Sequence, residues 1–294
     1  MQHNAESLRK IAEEFLFEGD RNVVAAAEAM SEKYAGMPIF RTPVLVGISS
    51  ASDPLYLRLK DENVIGGLYR PPSVWVSDAK SVISLFLPFS GAVCKDNSTD
   101  INTFSYGWMH ARNEGQHLLN AVGIRVKEEM ESCGGIAVIP SLDGSFRYVL
   151  PKTTGKPHAD SVWSERHAAF ISGLGTFGLS TCLITNEGTA GRFISIVTDL
   201  KLKPTPREYT GIYEYCIKCG LCIKNCPIDA IYETAIQKDG GDIADDDLKN
   251  LSLKDIQKCS DYVDLSEEMY YPRYGCGKCQ VNVPCMNKRP KRRS

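Results

Sequence analysis

The chain has 294 residues, of which 43 % are apolar and 24 % charged, and its formal net charge is −2. That length suits one large or two ordinary domains, and the balance is that of a folded globular chain, excluding a disordered segment or a fibrous repeat. Near-neutral charge gives no overall drive toward nucleic acid, no apolar run approaches the roughly 18–20 residues that span a bilayer, and the start lacks the basic flank and apolar stretch of a signal peptide, so the expected location is the cytoplasm with no membrane partner.

Helical periodicity runs through "AESLRKIAEEFLFE" and "NVVAAAEAMSEKYA", after which "PVLVGIS" reads as a short strand bounded by Pro and Ser. "SVISLFLPF" and "GIAVIPSL" read as buried strands on either side of a long helix over about residues 107–132. "CLITNEGTAGRFISIVTDL" predicts two strands joined by a turn containing Asn186, Gly188 and Gly191. Two prolines and a glycine in "KLKPTPREYTG" then break the pattern. The expected organisation is therefore an α/β (α+β) domain over residues 1–205 and a cysteine-rich domain over 206–294, with the boundary near 203–211. A basic tail, Lys288, Arg289, Lys291, Arg292 and Arg293, closes the chain and reads first as a solvated end, with phosphate binding as the alternative.

Eleven cysteines without a signal peptide argue for metal ligation rather than a disulfide framework, and eight of them lie between Cys216 and Cys285. Cys216, Cys219, Cys222 and Cys226, followed by Pro227, match the bacterial ferredoxin run C-x2-C-x2-C-x3-C-P, in which the fourth cysteine ligates a second cluster. Three thiolates in one tight loop reach three corners of one cube; a fourth, placed where proline turns the chain, points to another. Four further cysteines are then required, and Cys259, Cys276, Cys279 and Cys285 supply them. Crosswise assignment gives one [4Fe-4S] cluster to Cys216, Cys219, Cys222 and Cys285 and the other to Cys226, Cys259, Cys276 and Cys279. Zinc fits less well, because its sites pair two C-x2-C knuckles a dozen or more residues apart. Cys94, Cys133 and Cys182 read as small buried residues or spare thiols.

"GLGTFG", residues 173–178, satisfies G-x-G-x-x-G in letters only. A dinucleotide fingerprint follows a strand and opens a helix, whereas here "SERHAAFIS" reads as helix before it and "LSTCLITN" as strand after it. The whole stretch "ERHAAFISGLGTFGLSTCLITNEGTAGRFISIVTDL", followed by the ferredoxin run and "GCGKCQ", resembles the epoxyqueuosine reductase and reductive dehalogenase superfamily over roughly residues 140–285. The resemblance implies a nitroreductase-like cobalamin-binding domain followed by a ferredoxin-like double [4Fe-4S] domain. It also implies a cytoplasmic oxidoreductase passing electrons from both clusters to a corrinoid that reduces an epoxide or carbon–halogen substrate. Arg166, Gly173, Gly175, Phe177, Gly178 and Ser180 fall in the segment that lines the corrinoid in that superfamily. Its proton-donating aspartate is matched most nearly by Asp160, with His158 next and Tyr106 and Tyr148 behind. Glu165 and Arg166 read as an ion pair or a corrinoid contact.

The implied partners are a small-molecule or nucleoside-type substrate and a low-potential ferredoxin- or flavodoxin-type donor. A tRNA substrate has less behind it, because Cys279 and Cys285 are five residues apart where the tRNA-modifying members have C-x3-C-P. Two other readings stay open: a ferredoxin-like electron carrier that reduces a separate corrinoid or flavin protein, and a flavin or nicotinamide oxidoreductase with an appended ferredoxin domain.

Overall fold

The computed structural model describes residues 3–156, 158–234 and 253–291. In chain order the regular elements are α1 (Ala5–Leu16), β1 (Leu45–Ser50), α2 (Pro54–Arg58), α3 (Pro72–Trp75), β2 (Ser81–Pro88), α4 (Gly91–Ser98), α5 (Tyr106–Ser132), β3 (Ala137–Val138), β4 (Tyr148–Val149), α6 (Pro151–Thr154), β5 (Asp160–Ser161), α7 (Glu165–Ile171), β6 (Gly175–Phe177), β7 (Leu183–Thr185), β8 (Gly191–Thr198), α8 (Leu221–Lys224) and α9 (Ile256–Tyr270). The main sheet has the order β1-β2-β8-β3 and is antiparallel throughout. The fold is thus mixed α/β of the α+β kind.

Period-two alternation sorts the sheet into two faces. Ile48, Ile83, Leu85, Ile194 and Ile196 face α1 and α5, while Val82, Phe86 and Val197 face α7, the β6–β7 hairpin and the cysteine-rich region. Both helices on the first face start where a polar side chain satisfies orphaned amides. Asn4 and Ser7 form a capping box on α1, and the Ser105 hydroxyl accepts from the Trp108 amide on α5 at 3.1 Å. Gly123 lets α5 lie close on the sheet, since a Cβ there would stand 2.5 Å from Ile194.

Two sequence expectations differ from the structure. Residues 22–35, predicted helical, contain only a short 3-10 turn at Glu32–Tyr34. Asn22 instead binds both backbone groups of Phe40, at 2.8 and 2.9 Å, and Val24 exchanges amide bonds with Gly36 and Met37, so tertiary pairing outcompetes local helix propensity. The two strands read from residues 182–200 exist, but they join different sheets: β7 pairs with β6, and β8 lies between β2 and β3. Residues 201–209, where the domain boundary is expected, carry no regular element. Even so, Tyr209, Ile212 and Tyr213 pack into the same core as Phe170 and Phe177, so apolar contact is continuous across that point.

Candidate iron–sulfur centres and the adjoining cavity

The ferredoxin run folds as a tight loop, with Lys218 and Gly220 at left-handed φ of 54° and 72°. Backbone amides consequently turn inward: those of Lys218 and Leu179 hydrogen-bond the Cys216 sulfur, and the Ala230 amide donates to the Cys226 sulfur at 3.2 Å. The C-terminal cysteines are brought to this loop by docking against the sheet domain. Gly277 packs flat on the Trp108 indole, which is why no side chain fits there: a Cβ would stand 1.9 Å from the ring. The buried Lys278 ammonium donates to Asn97 Oδ1 at 2.8 Å and to the Asp100 carbonyl at 2.7 Å. Thr189 and Ala190 donate backbone bonds to Cys285 and Met286, at 2.8 and 3.0 Å.

This docking separates the eight cysteines into two cavities. Cys216, Cys219, Cys222 and Cys285 line one, with Gly178, Leu179, Ser180 and Ile184. Cys226, Cys259, Cys276 and Cys279 line the other, a cavity of about 350 Å³ that opens against α5, α7 and β8. These are the two crosswise quartets. Cys222 is pushed up to about 12, chiefly by burial and then by the neighbouring thiols; a coordinated metal is what deprotonates such a group. Lys254, beside Cys279 and Cys259, is the counter-cation of the second set. Four convergent thiols in each cavity are the donor set that a [4Fe-4S] cluster takes.

Cys182, read from sequence as a bystander, lines the second cavity, hydrogen-bonds Cys279 and accepts from Gln280 Nε2 at 3.2 Å. Nothing in its sequence neighbourhood signals this; the β7 strand carries it there.

Glu165 and Arg166 open α7 and line the second cavity, but they do not pair with each other. Arg166 Nη1 donates to the Thr181 carbonyl at 2.6 Å. Glu165 Oε2 accepts from the Ser195 hydroxyl at 2.6 Å, and that hydroxyl in turn accepts from the Trp163 indole at 2.8 Å. Glu165 Oε1 has no partner. Burial raises its carboxyl from 4.5 to about 7, the hydrogen bond from Ser195 and the nearby Ser141 and Trp163 groups opposing the shift. It is therefore a carboxylic acid held half protonated at neutral pH.

The remaining predicted residues are placed differently. Asp160 is buried in the β4–β5 pair, where Lys156 Nζ donates to it at 2.7 Å and His158 Nε2 stands 4.0 Å away. Neither Asp160 nor His158 lines either cysteine cavity; the β5 ladder holds Asp160 against the loop at Gly66, where a Cβ would touch its carboxylate at 2.2 Å. Tyr148 is exposed, and the Tyr106 ring lies 5.4 Å from that of Tyr270. In the glycine segment, Gly173 abuts the Pro206 carbonyl and Gly175 the Ile184 carbonyl, while Phe177 is core. Only Gly178 and Ser180 reach a cavity, and it is that of the first quartet. Residues 178–183 therefore form the partition between the two cavities.

Residues 209–232 match the 4Fe-4S binding domain family. No curated protein matches the chain by sequence. Among solved structures, an epoxyqueuosine reductase from Streptococcus thermophilus is 14 % identical and aligns over 97 % of this chain and 67 % of its own, with a TM-score of 0.50. An epoxyqueuosine reductase crystallised with an epoxyqueuosine-modified tRNA-Tyr stem loop is also 14 % identical, with 97 % and 66 % covered and a TM-score of 0.52. The catabolic reductive dehalogenase NpRdhA in complex with 3-bromo-4-hydroxybenzoic acid is 12 % identical, with 97 % and 37 % covered and a TM-score of 0.53. The chain thus has the fold of epoxyqueuosine reductases and reductive dehalogenases, spans about two thirds of the former and just over a third of the latter, and carries a 4Fe-4S binding segment.

Proposed function

We infer that this protein is an iron–sulfur oxidoreductase that reduces an electrophilic small molecule bound in the second cavity. The observation that carries this reading is the partition of eight cysteines into two quartets, one of which shares its cavity with a half-buried carboxylic acid. Bound to these quartets, two [4Fe-4S] clusters would supply electrons singly and at low potential. The chain's own residues do the rest. Cys219 is exposed, so the first quartet lies against the surface where a low-potential donor protein would dock. Phe89, Trp108 and Phe193 wall the second cavity with apolar surface, limiting water there. Glu165, positioned by Ser195, is the proton donor in place of Asp160, because it faces the cavity and Asp160 does not.

The resemblance also implies cobalamin, and the residues present do not suit it. Of the glycines expected beneath a corrinoid, Gly173 and Gly175 meet protein backbone instead, and Gly178 lines the first quartet's cavity. Adding cob(II)alamin to cluster-reconstituted protein should accordingly yield no base-off paramagnetic species; a stoichiometric base-off signal would replace this reading with the corrinoid one.

The direct test is anaerobic reconstitution followed by iron analysis and single-turnover mixing of the reduced protein with epoxides and aryl halides. About eight iron atoms per chain and substrate-dependent reoxidation are expected. An iron-free protein, or one whose reduced spectrum no electrophile changes, removes the proposal.

A further inference from the structure

Three guanidinium groups converge on the second cavity from three separate elements: Arg112 from α5, Arg166 from α7 and Arg192 from β8. Each has five N–H donors and no acceptor, and the protein uses few of them. Arg166 gives one bond to the Thr181 carbonyl, at 2.6 Å. Arg192 donates to Gln116 Oε1. Arg112 lies over the Tyr274 ring at 4.7 Å, and its buried Nε has no partner at all. Among the described residues no carboxylate forms an ion pair with any of the three, in contrast to Arg273, which meets Glu28 and Glu114 at 2.8 and 2.7 Å.

Arg112 and Arg192 are half-buried and Arg166 is exposed; leaving like charges together in a partly desolvated site is costly, and it is tolerated where an anion completes the set. Burial, together with Arg112 and Arg166, lowers Arg192 from its ordinary value, the same repulsion expressed as proton affinity. Among the described residues Glu165 is the one carboxylate in the cavity lining; it is committed to Ser195 and is half protonated near pH 7. The second quartet already has Lys254 at its thiols. Among the described residues the arginines thus have no carboxylate partner, Arg166 facing the Cys182 thiol, and the apolar walls beside them are aromatic.

We propose that Arg112, Arg166 and Arg192 form an oxyanion-binding subsite that holds the carboxylate or phosphate of the substrate while its reducible end lies toward the second quartet. The proposal rests on the oxidoreductase reading and names its substrate class: a small molecule bearing a carboxylate or phosphate next to an apolar, preferably aromatic, body. Planar guanidinium forks suit both anions by paired hydrogen bonds, which a lysine would not supply.

The test uses cluster-reconstituted full-length protein titrated with inorganic phosphate and, separately, with benzoate, each against potassium chloride at matched ionic strength. Calorimetry and the paramagnetic spectrum of the reduced clusters are the readouts, and iron is measured on every sample. Saturable binding of one of the two anions is expected, identifying phosphate or carboxylate as the group recognised. Arg112→Gln and Arg166→Gln should each weaken it at least tenfold with about eight iron atoms retained, and Arg112→Lys should restore only part of the loss. Should Arg192→Gln fail to fold, the two more accessible positions still decide the matter. Binding of neither anion, equal binding by the variants, or variants that alter only the cluster spectrum would overturn the subsite. Loss of iron from the wild-type protein would instead strike at the oxidoreductase reading, so the two failures are told apart.

Discussion

The two cysteine cavities are built from the same ligand type yet differ in everything around it. The first is lined mainly by Gly178, Leu179, Ile184, Val283 and Pro284, an apolar jacket beside Ser180, with Cys219 reaching the surface. The second has cations, a carboxylic acid and aromatic rings contributed by α5, α7 and β8. A jacket of that kind suits a centre that only relays electrons, whereas the wider cavity has what a reaction requires: room, charge and a proton. The direction of electron flow in the proposal follows from this asymmetry.

The largest test of the contrast is ligand removal. Cys222→Ala should cost the first cluster and Cys226→Ala the second, each halving the iron from about eight to about four atoms per chain; a variant that keeps all its iron would break the crosswise partition. Next in size, Glu165→Gln should lower single-turnover reduction by about 10²-fold without loss of iron, the usual scale of general acid catalysis. In the wild type the rate should fall as pH rises through about 7, because the proton is held below that value and lost above it. Stability follows the same sign: between 4.5 and 7 the folded state binds the Glu165 proton more tightly than the unfolded chain, so this group's contribution declines as pH rises across that window, and the glutamine variant should flatten it.

Smaller effects probe how the second cavity is assembled. Gly277→Ala places a methyl on the Trp108 ring at a residue with φ of 65°, and should cost about 2 kcal/mol in denaturant unfolding. An unchanged midpoint would show that α5 does not hold the last cysteine motif. Smallest is Cys182→Ser, for which full iron content and a stability loss of at most about 1 kcal/mol are expected; halved iron would make Cys182 a ligand and displace one of the quartet.

Much of this was legible in the sequence because ligand spacing is a local property. The run from Cys216 to Cys226 announces its chemistry through a loop of eleven residues, and its fourth cysteine demands the later four. Helices α1 and α5 and strands β1 and β2 were likewise readable, since their periodicity and caps lie within a dozen or so residues. The segment 22–35 misled because alanines favour helix while Asn22 found a better partner eighteen residues away at Phe40. The placement of the acidic residues was not legible for a related reason: only the β4–β5 ladder sets Asp160 away from the cysteine cavities and only the Ser195 hydroxyl holds Glu165 at one of them.

From the sequence alone came the eight clustered cysteines, their grouping and the mixed α/β character, all of which depend on short-range spacing and chain order. Tertiary structure alone decided that residues 178–183 separate the quartets, that Cys182 touches Cys279, and that Arg112, Arg166 and Arg192 share one cavity. Cys182 and Cys279 are 97 positions apart and the three arginines 26 to 80, and no local rule relates them; they meet because α5, α7 and β8 each bring one arginine to the same cavity.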